Sequence, residues 1–160
     1  MLYLALKTVH IVAVILFLGN ITTGIFWKEH ADRTRDARLI AHALAGIIRS
    51  DRLFTIPGVV LITIAGITAA IIGHLPLLRT GWLFWGIVLF SLSGVAFSVW
   101  VVPLQRRMMK LMQAGAESGS PDWAAYQTLS RTWAFWGAVA LLLPAAALIF
   151  MVFKPPIPGL

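Results

Sequence analysis

The chain has 160 residues, of which 59% are hydrophobic and only 12% charged, with a mean hydropathy of +0.87. A soluble domain carries about 25% charged residues, so this composition excludes a soluble globular protein and points to an integral membrane protein. The net charge of +7 lies mainly in the connections between apolar segments, which fits membrane topology and contact with anionic lipid and argues against a nucleic-acid partner.

Crossing a bilayer takes roughly 20 mainly apolar residues. Four segments meet that need, over about 3–27, 53–73, 82–104 and 132–153. Their short connections predict a single four-span domain over residues 1–160, an all-α integral membrane four-helix bundle. Ten of the 13 Lys and Arg lie in residues 28–52 and 105–131. The positive-inside rule then puts both long connections in the cytoplasm and both termini outside, as expected of a multi-pass membrane protein. With no cysteine in the chain, disulfides and Fe–S clusters are excluded.

Span one opens "YLALKTVHIVAVILFLGN" and ends at Trp27, an interfacial aromatic next to Lys28. Residues 1–6 carry no positive side chain and the apolar run continues to Trp27, so the segment reads as a span and not as a signal peptide. Next comes "DARLIAHALAGIIRS", with Ile40, Ala43, Leu44, Ile47 and Ile48 at helical spacing and Arg38, His42 and Arg49 opposite. That pattern predicts a short amphipathic helix at the membrane surface or covering the end of the bundle. Asp51 is expected to cap the helix of span two, with Pro57 in its second turn. Ala65/Ala69 and Gly66/Ala70 offer small faces for close helix packing.

Span three begins with Trp82 and Trp85 and carries Gly86, Ser93, Gly94 and Ala96 as packing positions. "LQRRMMKLMQAG" continues the helix past the bilayer, with Met108, Met109 and Met112 as apolar packing. Ser120 as cap, Pro121 at the first helical position and Asp122 at the dipole predict the start of the last helix. Pro144 is expected to kink it, and "KPPIPG" to be extended.

The residues with chemical potential concentrate in span one. Lys7 and His10, at i and i+3, share a face, and an ionisable residue inside a span is a functional candidate by default. For Lys7 the competing reading is snorkelling to the surface. For His10 it is a hydrogen bond to a Ser, Thr or carbonyl of a neighbouring helix. No nucleotide loop, metalloprotease motif, nucleophile elbow or paired intramembrane carboxylate is present. All six acids fall in the connections, so a carboxylate relay through the spans is not expected. The histidines are dispersed, which speaks against a multi-ligand zinc or copper site. A single bundle histidine does suit haem, whose iron one imidazole can hold. His10 is then the metal ligand, Lys7 pairs a propionate, and His74 is the candidate second axial ligand.

The stretches "YLALKTVHIVAVILFLGN", "DRLFTIPGVVLITIAG", "GWLFWGIVLFSLSGV", "VVPLQRRMM" and "MVFKPP" together resemble a bacterial family of predicted integral membrane proteins, a domain of unknown function. Its most specific parts are "LFT-PG" and "VPLQ". The opening "LK-x-x-H" is also similar to the first helix of the HemJ-type protoporphyrinogen oxidases and, more loosely, of copper-resistance D-type membrane proteins. That likeness implies haem contact at His10 and Lys7. The oxidases carry a "WLHAK"-like stretch at the third helix, where this chain has "GWLFWG" with Phe84.

Three functions remain open. The first is a b-type haem protein for electron transfer or a related redox step. The second is a cofactor-free scaffold or small-solute transport component, sensitive to bulk at Gly66 or Gly94. The third is a porphyrinogen oxidase-like enzyme. Beyond the lipid bilayer, a redox or membrane-protein partner is expected but not identified.

Overall fold

The computed structural model describes residues 1–160 and contains six α-helices. They are α1 (Leu2–Thr34), α2 (Ala37–Ser50), α3 (Ile56–Ile72), α4 (Gly81–Ala96), α5 (Val102–Ser118) and α6 (Trp123–Phe153). Two π-turns, Asp51–Thr55 and Phe97–Val101, fuse α2 to α3 and α4 to α5. The result is four long helices apolar enough to cross a membrane: Leu2–Thr34, Ala37–Ile72, Gly81–Ser118 and Trp123–Phe153.

Both π-turns have the same local cause. Proline lacks an N–H, and its ring clashes with the carbonyl four residues back. Each π-turn is closed by the residue before a proline, Pro57 or Pro103, whose N–H reaches five residues back. Ile56 N–H bonds to the Asp51 carbonyl, and Val102 N–H to the Phe97 carbonyl. Widening the turn lets the helix continue past the ring.

The amphipathic segment is therefore a helix, as its spacing predicts, but it runs straight into span two instead of lying apart from it. Asp51 sits inside that continuous helix, and its carboxylate accepts from no backbone N–H of span two. The cap belongs to Asp36, whose carboxylate accepts from Arg38 N and Leu39 N at the start of α2. Likewise α6 begins later than expected, because Asp122 accepts from Ala125 N at 2.9 Å and serves as its cap. Pro144 lies within α6 without ending it.

In the membrane-spanning half, α1 packs along α3 and α4 along α6. The two pairs meet through side chains such as Phe17 and Phe90, whose ring centroids are 5.7 Å apart. At the end that carries the basic connections, hereafter the basic end, α2 packs on α5 and joins the pairs. Ile40, Leu44, Met108 and Met112 are sealed there, with Tyr126 and Trp133 of α6 beside them. The polar stripe of α2 stays outside, with Arg38, His42 and Arg49 exposed. Burying four such apolar side chains contributes about 1.5–3 kcal/mol each, which explains why α2 stands against α5.

The opposite end is closed by the C-terminal tail. It is extended, as predicted, and it docks. Thr80 and Pro158 form a β-bridge, Leu160 N–H donates to the Leu78 carbonyl at 2.8 Å, and Trp85 Nε1 donates to the Pro158 carbonyl.

Candidate functional site

The first π-turn places Asp51 between the helix pairs. Its side chain is 7% exposed, and three neutral side chains meet it. Asn20 Nδ2 of α1 donates to Oδ1 at 3.2 Å and Thr55 Oγ1 donates to the same oxygen at 2.8 Å. Gln105 Nε2 of α5 donates to Oδ2 at 3.2 Å. Asn20 Nδ2 also reaches Thr55 Oγ1 at 2.9 Å. No Lys or Arg pairs with the carboxylate. Its charge is met by hydrogen bonds alone.

Beside Asp51 is a cavity of about 20 Å³, lined by Asn20, Gly24, Gln105, Trp133 and Gly137 among others. Trp133 is 5% exposed, and its Nε1–H has no hydrogen-bond partner. An unmade bond on a buried donor costs about 1–3 kcal/mol, so this indole is the conspicuous unsatisfied group of the bundle.

Trp133 also packs against a second polar cluster. Lys28 is 3% exposed. It bonds Asp32 Oδ2 at 2.5 Å and Ser130 Oγ at 2.6 Å. Its ammonium also sits 5.2 Å from the Trp133 ring centroid and 5.6 Å from that of Tyr126, within cation–π range. The Tyr126 hydroxyl donates to Asp32 Oδ1. Burial pushes the Tyr126 phenol up, and the hydrogen bond and charge of Asp32 push it further the same way. The interior of the basic end thus holds two polar clusters with Trp133 between them.

The span-one candidates lie elsewhere. His10 Nδ1 is 2.9 Å from the Ile62 carbonyl of α3. A carbonyl only accepts, so Nδ1 carries a proton; in the neutral ring Nε2 is then the nitrogen with the lone pair. The ring rests on Gly66, where a Cβ would come within 2.8 Å of Nδ1. His10 therefore makes the bond to a neighbouring helix's carbonyl that competes with the ligand reading. Lys7 is exposed at the helix surface, and His74 is exposed in the α3–α4 connection with φ 52°. Tyr3 packs against Gly73 while His10 packs against Gly66, so α1 and α3 run antiparallel with His74 about two turns beyond the His10 level. No hydrogen bond or ion pair joins Lys7, His10 and His74. No group of three or more His, Asp or Glu side chains converges to hold a metal. Of the two glycines expected to be sensitive to bulk, Gly66 is a close-packing position. Gly94 is exposed, and a Cβ added there would meet no atom within 4 Å.

The family described as "Predicted integral membrane protein (DUF2269)" matches residues 4–155. The chain belongs to this family. Its membrane-embedded, multi-pass character agrees with the four long apolar helices. No curated protein and no solved structure matches the chain.

Sequence reading missed Asp51 because hydropathy groups it with the charged connection. Two signals pointed to it: a proline six residues on, capable of drawing the preceding turn into the helix, and an Asn in span one.

Proposed function

We propose that this protein is a proton-responsive component of small-solute transport, with Asp51 as the group that takes up and releases the proton. The observation carrying this reading is a buried carboxylate held only by neutral side chains at the seam between two helix pairs. Ionisable groups within a membrane bundle are costly, and they mark ion and proton pathways. Protonation turns an acceptor oxygen into a donor. The proton sits on one of the two oxygens, so the N–H facing that oxygen, from Asn20 on Oδ1 or Gln105 on Oδ2, meets an O–H in place of a carboxylate oxygen, and the tie between the pairs loosens. The π-turn at Asp51 gives the helix a widened, adjustable turn at this point. The titratable groups facing this interior from the packed elements are Lys28 and Asp32 of α1 and Tyr126 of α6, which bond one another. From α5 and α6 the cavity receives the non-titrating Gln105 and Trp133. By the positive-inside rule the basic end faces the cytoplasm.

The test is proton movement into proteoliposomes holding a pH-sensitive dye, for the wild-type protein and Asp51→Asn. The reading expects an imposed pH step to decay faster with wild-type protein, and Asp51→Asn to match protein-free vesicles. Equal decay in the two proteins would reduce Asp51 to a packing bond.

A second reading rests on His10. The Ile62 bond fixes its tautomer and leaves Nε2 as a lone pair, the arrangement an axial ligand needs. A b-type haem there would supply electron transfer, with Lys7 near a propionate; a porphyrinogen oxidase-like activity is the enzymatic form of the same reading. A Soret band in the purified protein that His10→Ala abolishes supports it, and a flat spectrum after expression with ample haem removes it.

A further inference from the structure

We infer that the cavity between Trp133 and Asp51 binds a single water molecule, and that this water is the proton donor and acceptor for Asp51. The binding site stands on its own geometry; only the relay step rests on the proposed role of Asp51.

Three features define the occupant. The size is right for one water, which needs about 10–15 Å³ of such space and 2–4 polar partners; the cavity measures about 20 Å³. Trp133 lines this space, and its buried Nε1–H, bonded to nothing else, requires an acceptor. On the other side stand Asp51 and the amides of Asn20 and Gln105, which direct their N–H groups to Asp51 and Thr55 and keep their carbonyl oxygens. An anion would meet the Asp51 carboxylate, and a cation would meet the indole N–H. Water accepts from the one and donates to the other.

The space is kept by glycine. Gly137 is buried in α6, yet a Cβ built on it meets no atom within 4 Å. It lines the cavity, so that empty volume is the water's. Gly24 faces the cavity from α1, where a Cβ would make ordinary contact with Ile47 at 3.5 Å. Alanine at either position puts a methyl into the site without a backbone clash. The water then passes a proton to Asp51 by breaking its own O–H bond as the carboxyl O–H forms. It regains the proton from solvent arriving at the basic end, so charge and atoms balance with no other reactant.

The experiment uses full-length protein with ¹⁵N-labelled tryptophan in lipid nanodiscs, the Trp133 indole signal being identified by its loss in Trp133→Phe. Magnetisation transfer from water to the Trp133 indole proton is expected in the wild type. It should be lost in Gly137→Ala while the other indole signals stay in place. Gly24→Ala serves as the second variant should Gly137→Ala fail to fold, and both should lose the proton flux that Asp51 supports. No transfer in the wild type, or equal transfer in a folded alanine variant, overturns the site. The two claims separate. Water transfer with flux indifferent to Asp51→Asn keeps the site and removes the function; flux that needs Asp51 but survives Gly137→Ala keeps the function and removes the relay.

Discussion

The Gln105 amide donates to the Asp51 carboxylate at 3.2 Å, across the seam between the two fused helices. Asp51 opens one π-turn, and Gln105 follows the other by one helical turn. The two proline-driven irregularities thus flank the bond that joins the helix pairs at the basic end. A straight α-helix through either segment would rotate these side chains to other faces, since each residue adds about 100°.

Removing the carboxylate should cost stability as well as function. Asp51→Ala orphans the donors of Thr55 and Gln105 and leaves Asn20 Nδ2 only its bond to Thr55 Oγ1, at about 1–3 kcal/mol for each donor that stays buried and unmet. Gln105→Leu removes one donor and leaves Asp51 its bonds to Asn20 and Thr55, so its loss should be smaller. Unfolding in mixed detergent would rank them, with Asp51→Ala the less stable. An Asp51→Ala variant as stable as Gln105→Leu would contradict the network.

The Tyr126 phenol should resist alkaline titration. Its folded-state value is raised above the ordinary value of about 10 by burial and by Asp32. A raised group contributes stability that is complete below its unfolded value and is lost as pH climbs past it. The difference in absorbance between wild type and Tyr126→Phe at rising pH should show no phenolate from Tyr126 while the fold persists. Asp32→Asn should bring the Tyr126 transition down. A Tyr126 transition near the ordinary value in the wild type would contradict the buried Tyr126–Asp32 bond.

Gly66→Ala should move His10. The new Cβ would come within 2.8 Å of Nδ1, so the ring swings away and the Ile62 bond breaks, at a cost of about 1 kcal/mol. The imidazole ¹⁵N shifts of His10 report it directly: a protonated Nδ1 in the wild type and a changed tautomer balance in the variant. An unchanged spectrum would mean that the ring is not seated on Gly66.

The docked tail depends on two glycines. A Cβ at Gly81 would overlap the Ile157 carbonyl oxygen, and one at Gly159 would overlap that of Leu78. Backbone cannot yield as a side chain does, so Gly81→Ala should release residues 155–160. Limited proteolysis should then remove the tail from the variant and spare the wild type. Equal protection would show that the tail is held elsewhere.

The helical content of the chain was legible because hydropathy over 20 residues integrates many weak signals. Met108 and Met112 also read correctly as packing, since their spacing put them on one face. Asp51 did not, because its placement depends on what Pro57 does to the turn before it and on a partner, Gln105, 54 positions away. The same non-local dependence hid Lys28. It reads as an interfacial cation next to Trp27, whereas Ser130, Tyr126 and Trp133 of α6 enclose it. His10 was found by its oddity within an apolar run, but only Gly66 and Ile62 show which of its nitrogens is left free.

The proton-responsive role of Asp51 is best tested by an infrared titration of the protein in lipid, comparing wild type with Asp51→Asn. The expected spectrum has a protonated-carboxyl band that appears and disappears reversibly with pH, is absent from Asp51→Asn, and comes with a change in the amide band as the helix pairs loosen. A wild-type spectrum in which Asp51 holds one charge state across the whole range in which the protein stays folded would contradict that role.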